Sequence, residues 1–209
     1  MNNAKLFIIS APSGCGKGTI LSEVFKDSDA YYSVSCTTRK PREEDTDGIT
    51  YHFMTRDEFE SEIKNDGFLE YAEFADNYYG TPRAATEKML ESGRDVVLEI
   101  ETQGAFQVKK LMPDAVSVFI LPPSIKELDR RLHKRGTEDD DTINKRVSRA
   151  SGEISKAYEY DYVIMNDELD DAIRDLKLIV ACTKNGNSNA DRFKAVNMKK
   201  IIDEVLENA

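Results

Sequence analysis

Leu6-Phe7-Ile8-Ile9-Ser10-Ala11-Pro12-Ser13-Gly14-Cys15-Gly16-Lys17-Gly18-Thr19 decides how this chain is read. An apolar run, Leu6–Ile9, leads into a glycine-rich turn, and the turn leads into a helical pattern of Ile20, Leu21, Val24 and Phe25. Strand, turn and lysine-headed helix in that order form a phosphate cradle. Glycines let backbone N–H groups converge on an anion without Cβ clashes. The helix start adds the positive end of its dipole, and Lys17 adds a full charge. The stretch departs from the strict G-x-x-x-x-G-K-[ST] pattern: Ala11 holds the first glycine position and Gly18 follows the lysine. Thr19 is then the nearest hydroxyl for a magnesium ion. The expected site is one for a nucleoside triphosphate.

Composition narrows the classes. A chain of 209 residues predicts one domain with a real core, with room for inserted subdomains. No run approaches the ~18 apolar residues of a membrane span, and Met1-Asn2-Asn3-Ala4-Lys5 lacks a signal-peptide pattern. Cys15, Cys36 and Cys182 are odd in number and unpatterned, which argues against a disulfide framework and a zinc site and fits a reducing cytoplasm. The net charge of -10 disfavours general nucleic-acid binding, which needs a basic field. An acidic protein that binds anionic nucleotides must concentrate its cations locally.

Apolar runs at Leu6–Ile9, Val96–Ile100, Val116–Leu121 and Tyr162–Met165 are short and rich in Val and Ile, as covered parallel strands are. Helical patterns alternate with them. One is opened by Thr81-Pro82 and closed by Gly93; one covers about 104–111 and stops before Pro113. One starts at the capping-box pattern Ser124-x-x-Glu127 and ends at Gly136, and others cover about 140–157 and about 170–182. The alternation predicts an α/β fold: a parallel sheet flanked by helices. Residues 35–83 break it, with many aromatics, turn signals and a second capping box at Thr55-x-x-Glu58. They read as small strands around one helix. Residues 130–149 read as a charged flap. Asn185-Gly186-Asn187-Ser188-Asn189 has the composition of a linker, followed by a short amphipathic helix with Ile201, Ile202, Val205 and Leu206.

A second basic cluster lies at Ser35-Cys36-Thr37-Thr38-Arg39-Lys40-Pro41-Arg42, in the same segment as Tyr51 and Asn77-Tyr78-Tyr79-Gly80-Thr81. Arginine forks and tyrosine hydroxyls together suit a phosphate monoester. Alone, such a run reads as a solvated loop; beside a triphosphate cradle it reads as an acceptor site.

With these stretches the chain resembles the guanylate kinase family, whose members phosphorylate GMP with ATP. The matching segments are 11–19, 35–42, Gly48-x-x-Tyr51, Phe68-Leu69-Glu70, 77–80, Glu99-Ile100-Glu101-Thr102-Gln103-Gly104, Leu121-Pro122-Pro123-Ser124, Lys134-Arg135-Gly136-Thr137, Asn144-Lys145-Arg146 and Asn166-Asp167. The resemblance implies a P-loop core of residues 4–34, 84–125 and 155–184, a GMP-binding subdomain of small α+β character at 35–83, a helical lid at 126–154 and a tail at 185–209. It implies that ATP is held by Ala11, Pro12, Ser13, Gly14, Cys15, Gly16, Lys17, Gly18, Thr19 and Asn166. Arg39, Arg42, Tyr51 and Tyr79 would hold the GMP phosphate, and Ser35, Glu70, Thr81 and Glu99 would read guanine. Lys17, Arg39, Arg135 and Arg146 would carry catalysis by neutralising charge around an in-line transfer. Magnesium would arrive with ATP near Thr19, with Glu101 as a possible ligand through water.

The chemistry of Glu70 is direct. Guanine presents N1–H and N2–H on one edge, and a carboxylate accepts from both. Adenine presents an N1 lone pair there, and leaving such a site group unpaired discriminates by as much as ~10⁴-fold. Thr81 can donate to O6. No assigned base contact needs a 2′-hydroxyl, so dGMP is a second expected acceptor. Glu138-Asp139-Asp140-Asp141 reads as a dipole-complementing helix start rather than a metal site. Cys15 sits beside a helix N-terminus, a setting that can lower a thiol pKa, although a small filler is the plainer reading. The competing readings are a nucleoside monophosphate kinase of broader base specificity and a guanylate-kinase-like interaction module; Lys17 and the flap arginines speak against the latter. The sequence leaves the oligomeric state, monomer or homodimer, open.

Overall fold

The computed structural model describes residues 3–74, 76–135 and 139–207, the side chain of Arg135 excepted. The chain begins with β1 (Leu6–Ser10), α1 (Lys17–Phe25), β2 (Tyr31–Tyr32), β3 (Cys36–Thr37), β4 (His52–Phe53) and α2 (Arg56–Lys64). It continues with β5 (Phe68–Phe74), β6 (Asn77–Pro82), α3 (Arg83–Glu91), β7 (Val96–Glu99), α4 (Thr102–Leu111) and β8 (Val116–Leu121). It ends with α5 (Ile125–Arg135), α6 (Asp140–Ile154), β9 (Tyr162–Met165), α7 (Leu169–Asn185) and α8 (Lys199–Glu207). Two compact units emerge, one of Met1–Ile8 with Asp29–Ala115 and one of Ile9–Ser28 with Val116–Ala209.

In the first unit, β2, β7 and β1 are neighbours in that order, and β2 runs parallel to β7 with Tyr31 opposite Val96. Leu6, Phe7, Ile8, Val96, Val97 and Leu98 are all buried, which is why both strands read as unbroken apolar runs. A second sheet in this unit has the order β4-β3-β6-β5. Its β5–β6 hairpin is antiparallel, and its register shifts between Phe68 and Glu70. Helix α2 starts where the sequence places it: Thr55 Oγ1 accepts from the Glu58 N–H at 3.2 Å and the Glu58 carboxylate accepts from the Thr55 N–H at 2.7 Å. Its Phe59 is fully buried, stacked on Phe68 at 4.3 Å and on Tyr78 at 5.1 Å between ring centroids. Burying such a ring contributes roughly 1.5–3 kcal/mol, and each aromatic pair about 0.5–1.5 kcal/mol more. That small cluster is what gives the short strands a face to fold on.

In the second unit, β8 is buried along its whole length and runs parallel to β9, from Val118 opposite Tyr162 to Leu121 opposite Met165. Helix α1 packs on α7. Both β8 and β9 have the limits expected from the sequence. Helix α7 runs further than its predicted end near residue 182. Gly186 adopts a left-handed conformation (φ 65°) and caps it, with the Asn187 N–H returning to the Cys182 carbonyl. The first glycine of the expected linker is thus a helix cap. The chain beyond this cap is packed as well: Ala190, Phe193, Ala195, Met198, Ile202 and Val205 are buried, and Lys194 bridges antiparallel to Tyr162. Residues 185–189 are exposed, and the burial of apolar residues begins only beyond them, at Ala190.

Ser124 caps α5 through the Glu127 N–H at 3.0 Å. The Glu127 carboxylate turns to Arg130 and Arg131. Helix α6 is capped by Asp139, which accepts from the Thr142 N–H at 2.8 Å, with Asp140 and Asp141 in its first turn. Gly136 as the end of α5, and Glu138 in the acidic run, lie outside the described residues. Among the described residues, no helix is long and apolar enough to cross a membrane.

Candidate active site

The phosphate loop lies in the second unit. The Cys15 N–H returns to the Pro12 carbonyl at 3.1 Å, closing a turn that aims the chain into α1. Gly14 (φ 88°) and Gly16 (φ 82°) both take left-handed backbone, and Gly16 is the N-cap of the helix that Lys17 begins. A Cβ on Gly16 would stand 2.7 Å from Asn166 Nδ2. That amide donates to the Cys15 carbonyl at 2.7 Å, so buried Asn166 braces the loop from beneath. Arg131, counted with the flap from sequence, is anchored: its guanidinium reaches the Asn166 carbonyl at 2.9 Å and Glu127 Oε1 at 2.8 Å. Arg146, on α6, donates to Ser13 Oγ at 2.7 Å and so already rests on the loop. Lys17 is half-buried and Gly18 and Thr19 are exposed on the first turn of α1. The Arg135 side chain lies outside the described residues.

Cys15 differs from one sequence expectation. Its thiol is 1 % exposed and donates to the Ile120 carbonyl at 3.5 Å. Burial pushes it up to about 12, against the smaller opposing pull of Arg131 and Lys17. The helix start does not make a reactive thiolate here, because desolvation outweighs it. Native protein at pH 8 is expected to leave Cys15 unlabelled by iodoacetamide over hours, with urea-unfolded protein labelled fully. Peptide mass spectrometry reads the difference, and rapid native labelling of Cys15 would contradict the burial.

The second cluster lies in the first unit. Arg39 pairs with Asp45 at 2.9 Å, and its guanidinium lies over the rings of Tyr51 and Phe53 at 5.3 and 5.6 Å. Tyr51 meets Tyr79 edge-on at 5.8 Å. Burial raises the Tyr51 phenol, so it remains a hydrogen-bond donor at neutral pH. Asp45 also accepts from the Arg42 N–H at 2.7 Å. The hydrogen bond from Arg39, followed by that from Arg42, holds its carboxyl below the usual range. Asp45 was not singled out from sequence; the signal was the acid run Glu43-Glu44-Asp45 just beyond the cations. Arg42 itself is exposed and Ser35, just before β3, is half-buried, its carbonyl accepting from the His52 N–H at 2.9 Å.

Glu70, on β5, is 7 % exposed, and Thr81 Oγ1 on β6 donates to its Oε1 at 2.6 Å. Burial raises its carboxyl to about 7; the Thr81 bonds pull the other way, and the charge of Glu101 adds to the rise. As it stands, the single Thr81 hydroxyl proton is committed to Glu70, so donation to another group requires that bond to be released. Glu99, at the carboxyl end of β7, accepts from the Tyr32 hydroxyl. Tyr32 was missed because β2 is too short to show a period. Glu101 is exposed at the N-cap of α4. Among the described residues no group of three or more His, Cys, Asp or Glu could hold a metal ion. An exposed Thr19 hydroxyl at a helix start suits a magnesium ion whose other ligands are phosphate oxygens and water.

Residues 3–182 match the family model for guanylate kinase. The guanylate kinase of Latilactobacillus sakei is 50% identical over 181 residues, 86% of this chain and 89% of that protein. That of Desulfitobacterium hafniense is 48% identical over 184 residues, 88% of this chain and 92% of that protein. The crystal structure of guanylate kinase from Anaplasma phagocytophilum superposes with a TM-score of 0.70 at 32% identity, covering 87% of this chain and 86% of that one.

Proposed function

We propose that this chain, which belongs to the guanylate kinase family and is an ATP:GMP phosphotransferase, holds ATP on its phosphate loop and GMP on its small sheet. The observation that carries the assignment of the base is Glu70: a buried carboxylate, oriented by Thr81, in a sheet that also presents the Arg39–Tyr51–Tyr79 cluster. Glu70 accepts from guanine N1–H and N2–H, and Thr81 turns its proton from Glu70 to O6 as the base arrives. Ser35 and Glu99 complete the base contacts. Arg39, Arg42 and the phenols of Tyr51 and Tyr79 hold the GMP phosphate. The charge-assisted bonds of Arg39 are worth roughly 1.5–3 kcal/mol each. Asp45 keeps that guanidinium in place before substrate enters.

An oxygen of the GMP phosphate attacks the γ-phosphorus of ATP in line, and the bond from that phosphorus to the β,γ-bridging oxygen breaks, releasing ADP. No covalent enzyme intermediate is needed. Lys17 and the loop amides neutralise the donor phosphates, and Arg146 and Arg135 neutralise the group in flight. The bond from Arg146 to Ser13 supports this reading, since it puts a flap cation on the donor loop. Thr19 would hold the magnesium ion that arrives with ATP and Glu101 would assist through water; the ion would supply charge neutralisation on the donor phosphates. Closure of 126–154 excludes the water that would otherwise hydrolyse ATP. Three buried free cysteines fit a reducing, cytoplasmic setting.

A panel of nucleoside monophosphates assayed by ADP release tests the assignment. GMP and dGMP are expected to turn over, and AMP, CMP and UMP to be slower in kcat/KM by about 10³-fold or more. Equal rates for AMP would overturn it in favour of broad base specificity. An interaction module without transfer is disfavoured by Lys17 and by Arg146 on the loop.

A further inference from the structure

Strand β5 is the outer strand of the small sheet, and such an edge carries backbone groups that need partners. Helix α4 supplies them. The Gln107 side-chain amide accepts from the Tyr71 N–H at 3.4 Å and donates to the Tyr71 carbonyl at 3.1 Å. Those are the two bonds a further antiparallel strand would make at that residue. Three residues earlier, on the same face of α4, Gly104 lies against the neighbouring Glu70. A Cβ at 104 would stand 2.4 Å from Glu70 Oε2 and 2.9 Å from its Cδ. One helix face thus fixes both the backbone beside Glu70 and the space its carboxyl fills.

We infer that Gly104 and Gln107 are positioning residues for Glu70, so that guanine selectivity is set by the seat of α4 as well as by the carboxylate itself. The inference rests on the reading of Glu70 as the guanine acceptor. Alanine at 104 would be a better helix former than glycine. The atoms it would strike, Oε2, Cδ and Cγ, all belong to the Glu70 side chain and not to backbone, so the carboxyl is displaced from Thr81 while the main chain keeps its course. The fold therefore tolerates the change while the base site does not, which separates a positioning role from a structural one.

The test uses the full chain with Gly104→Ala, Gln107→Ala and, as reference, Glu70→Gln. Kinetics with GMP, IMP and ATP are measured beside thermal melting; IMP keeps N1–H and lacks the exocyclic amine. Gly104→Ala is expected to fold and to melt within about 5 °C of the parent, the gain in helix propensity offsetting the lost Thr81–Glu70 bond. Its KM for GMP should rise about tenfold or more, its KM for ATP should not change, and its GMP/IMP preference should fall toward that of Glu70→Gln. Gln107→Ala should move the same quantities in the same direction by about threefold or more, and it decides the matter if Gly104→Ala does not fold. If Glu70→Gln loses the GMP/IMP preference and the α4 variants keep it, the inference is overturned and the reading of Glu70 stands. If Glu70→Gln keeps the preference, that reading fails and the inference with it.

Discussion

Lys17→Ala is expected to lower kcat for phosphoryl transfer by about 10²–10³-fold and to leave the KM for GMP within about twofold. Lys17 opens α1 directly after a left-handed glycine, half-buried, and nothing else in the Ala11–Thr19 loop carries a full positive charge. Charge builds on the β,γ-bridging oxygen and the equatorial oxygens as transfer proceeds, so a fixed cation there stabilises the transition state more than the bound ATP. Alanine is a good helix former, so the variant should fold. Steady-state kinetics with each substrate varied, beside a melting curve, read the effect. A kcat within about threefold of the parent would remove the loop lysine from the mechanism.

Glu70→Gln is expected to cut kcat/KM for GMP by about 10²-fold, because an amide offers one acceptor and sets its NH2 against a guanine N–H. The variant also alters the pH dependence. Burial raises the Glu70 carboxyl from its ordinary 4.5 to about 7, so below that pH the free protein carries it protonated. With Glu70 as the proposed guanine acceptor, the base needs the carboxylate, and affinity is expected to fall as pH drops through about 7. KM for GMP should rise up to about tenfold per pH unit below that point. The GMP phosphate itself titrates near pH ~6. In Glu70→Gln only that phosphate step should remain. Stability moves the other way. Between about pH 4.5 and 7 the native chain holds a proton that the unfolded chain has released, so stability falls as pH rises, and Glu70→Gln should flatten that slope. Denaturant titrations at pH 5 and 8 measure it. Parallel KM profiles for parent and variant would show that Glu70 does not meet the base.

Much of this was legible in the chain. Buried strands such as Val116–Leu121 and Tyr162–Met165 announce themselves because both faces are covered, so every residue is apolar. The Thr55/Glu58 capping box is a local motif with local bonds, and it stands where the spacing puts it. The loop could be read because strand, glycines and lysine are contiguous. What stayed hidden depends on partners far along the chain. Asn166 braces a carbonyl at Cys15, and Gln107 holds the edge of β5. No window of sequence contains both ends of either contact. Strand β2 has two residues and is fixed by main-chain bonds to Asp95 and Val97, which leave no side-chain period. Cys15 was ambiguous for a related reason: a helix start lowers a thiol pKa and burial raises it, and only the fold shows which prevails. The amphipathic spacing of Ile201, Ile202, Val205 and Leu206 marks the tail helix, while the burial of Phe193 and Met198 before it has no periodic pattern to announce it.

The most direct measurement tracks the phosphoryl group itself. Protein is mixed with ATP labelled at the γ-phosphate, magnesium and an equal mixture of GMP and AMP, quenched during one turnover, and its nucleotides separated. The label should appear in the β-phosphate of GDP, in step with ADP, with no labelled protein and almost none of the label in the product from AMP. Label released as inorganic phosphate, retained on the protein, or shared equally between the products of GMP and AMP would contradict direct transfer to a guanine-selected acceptor.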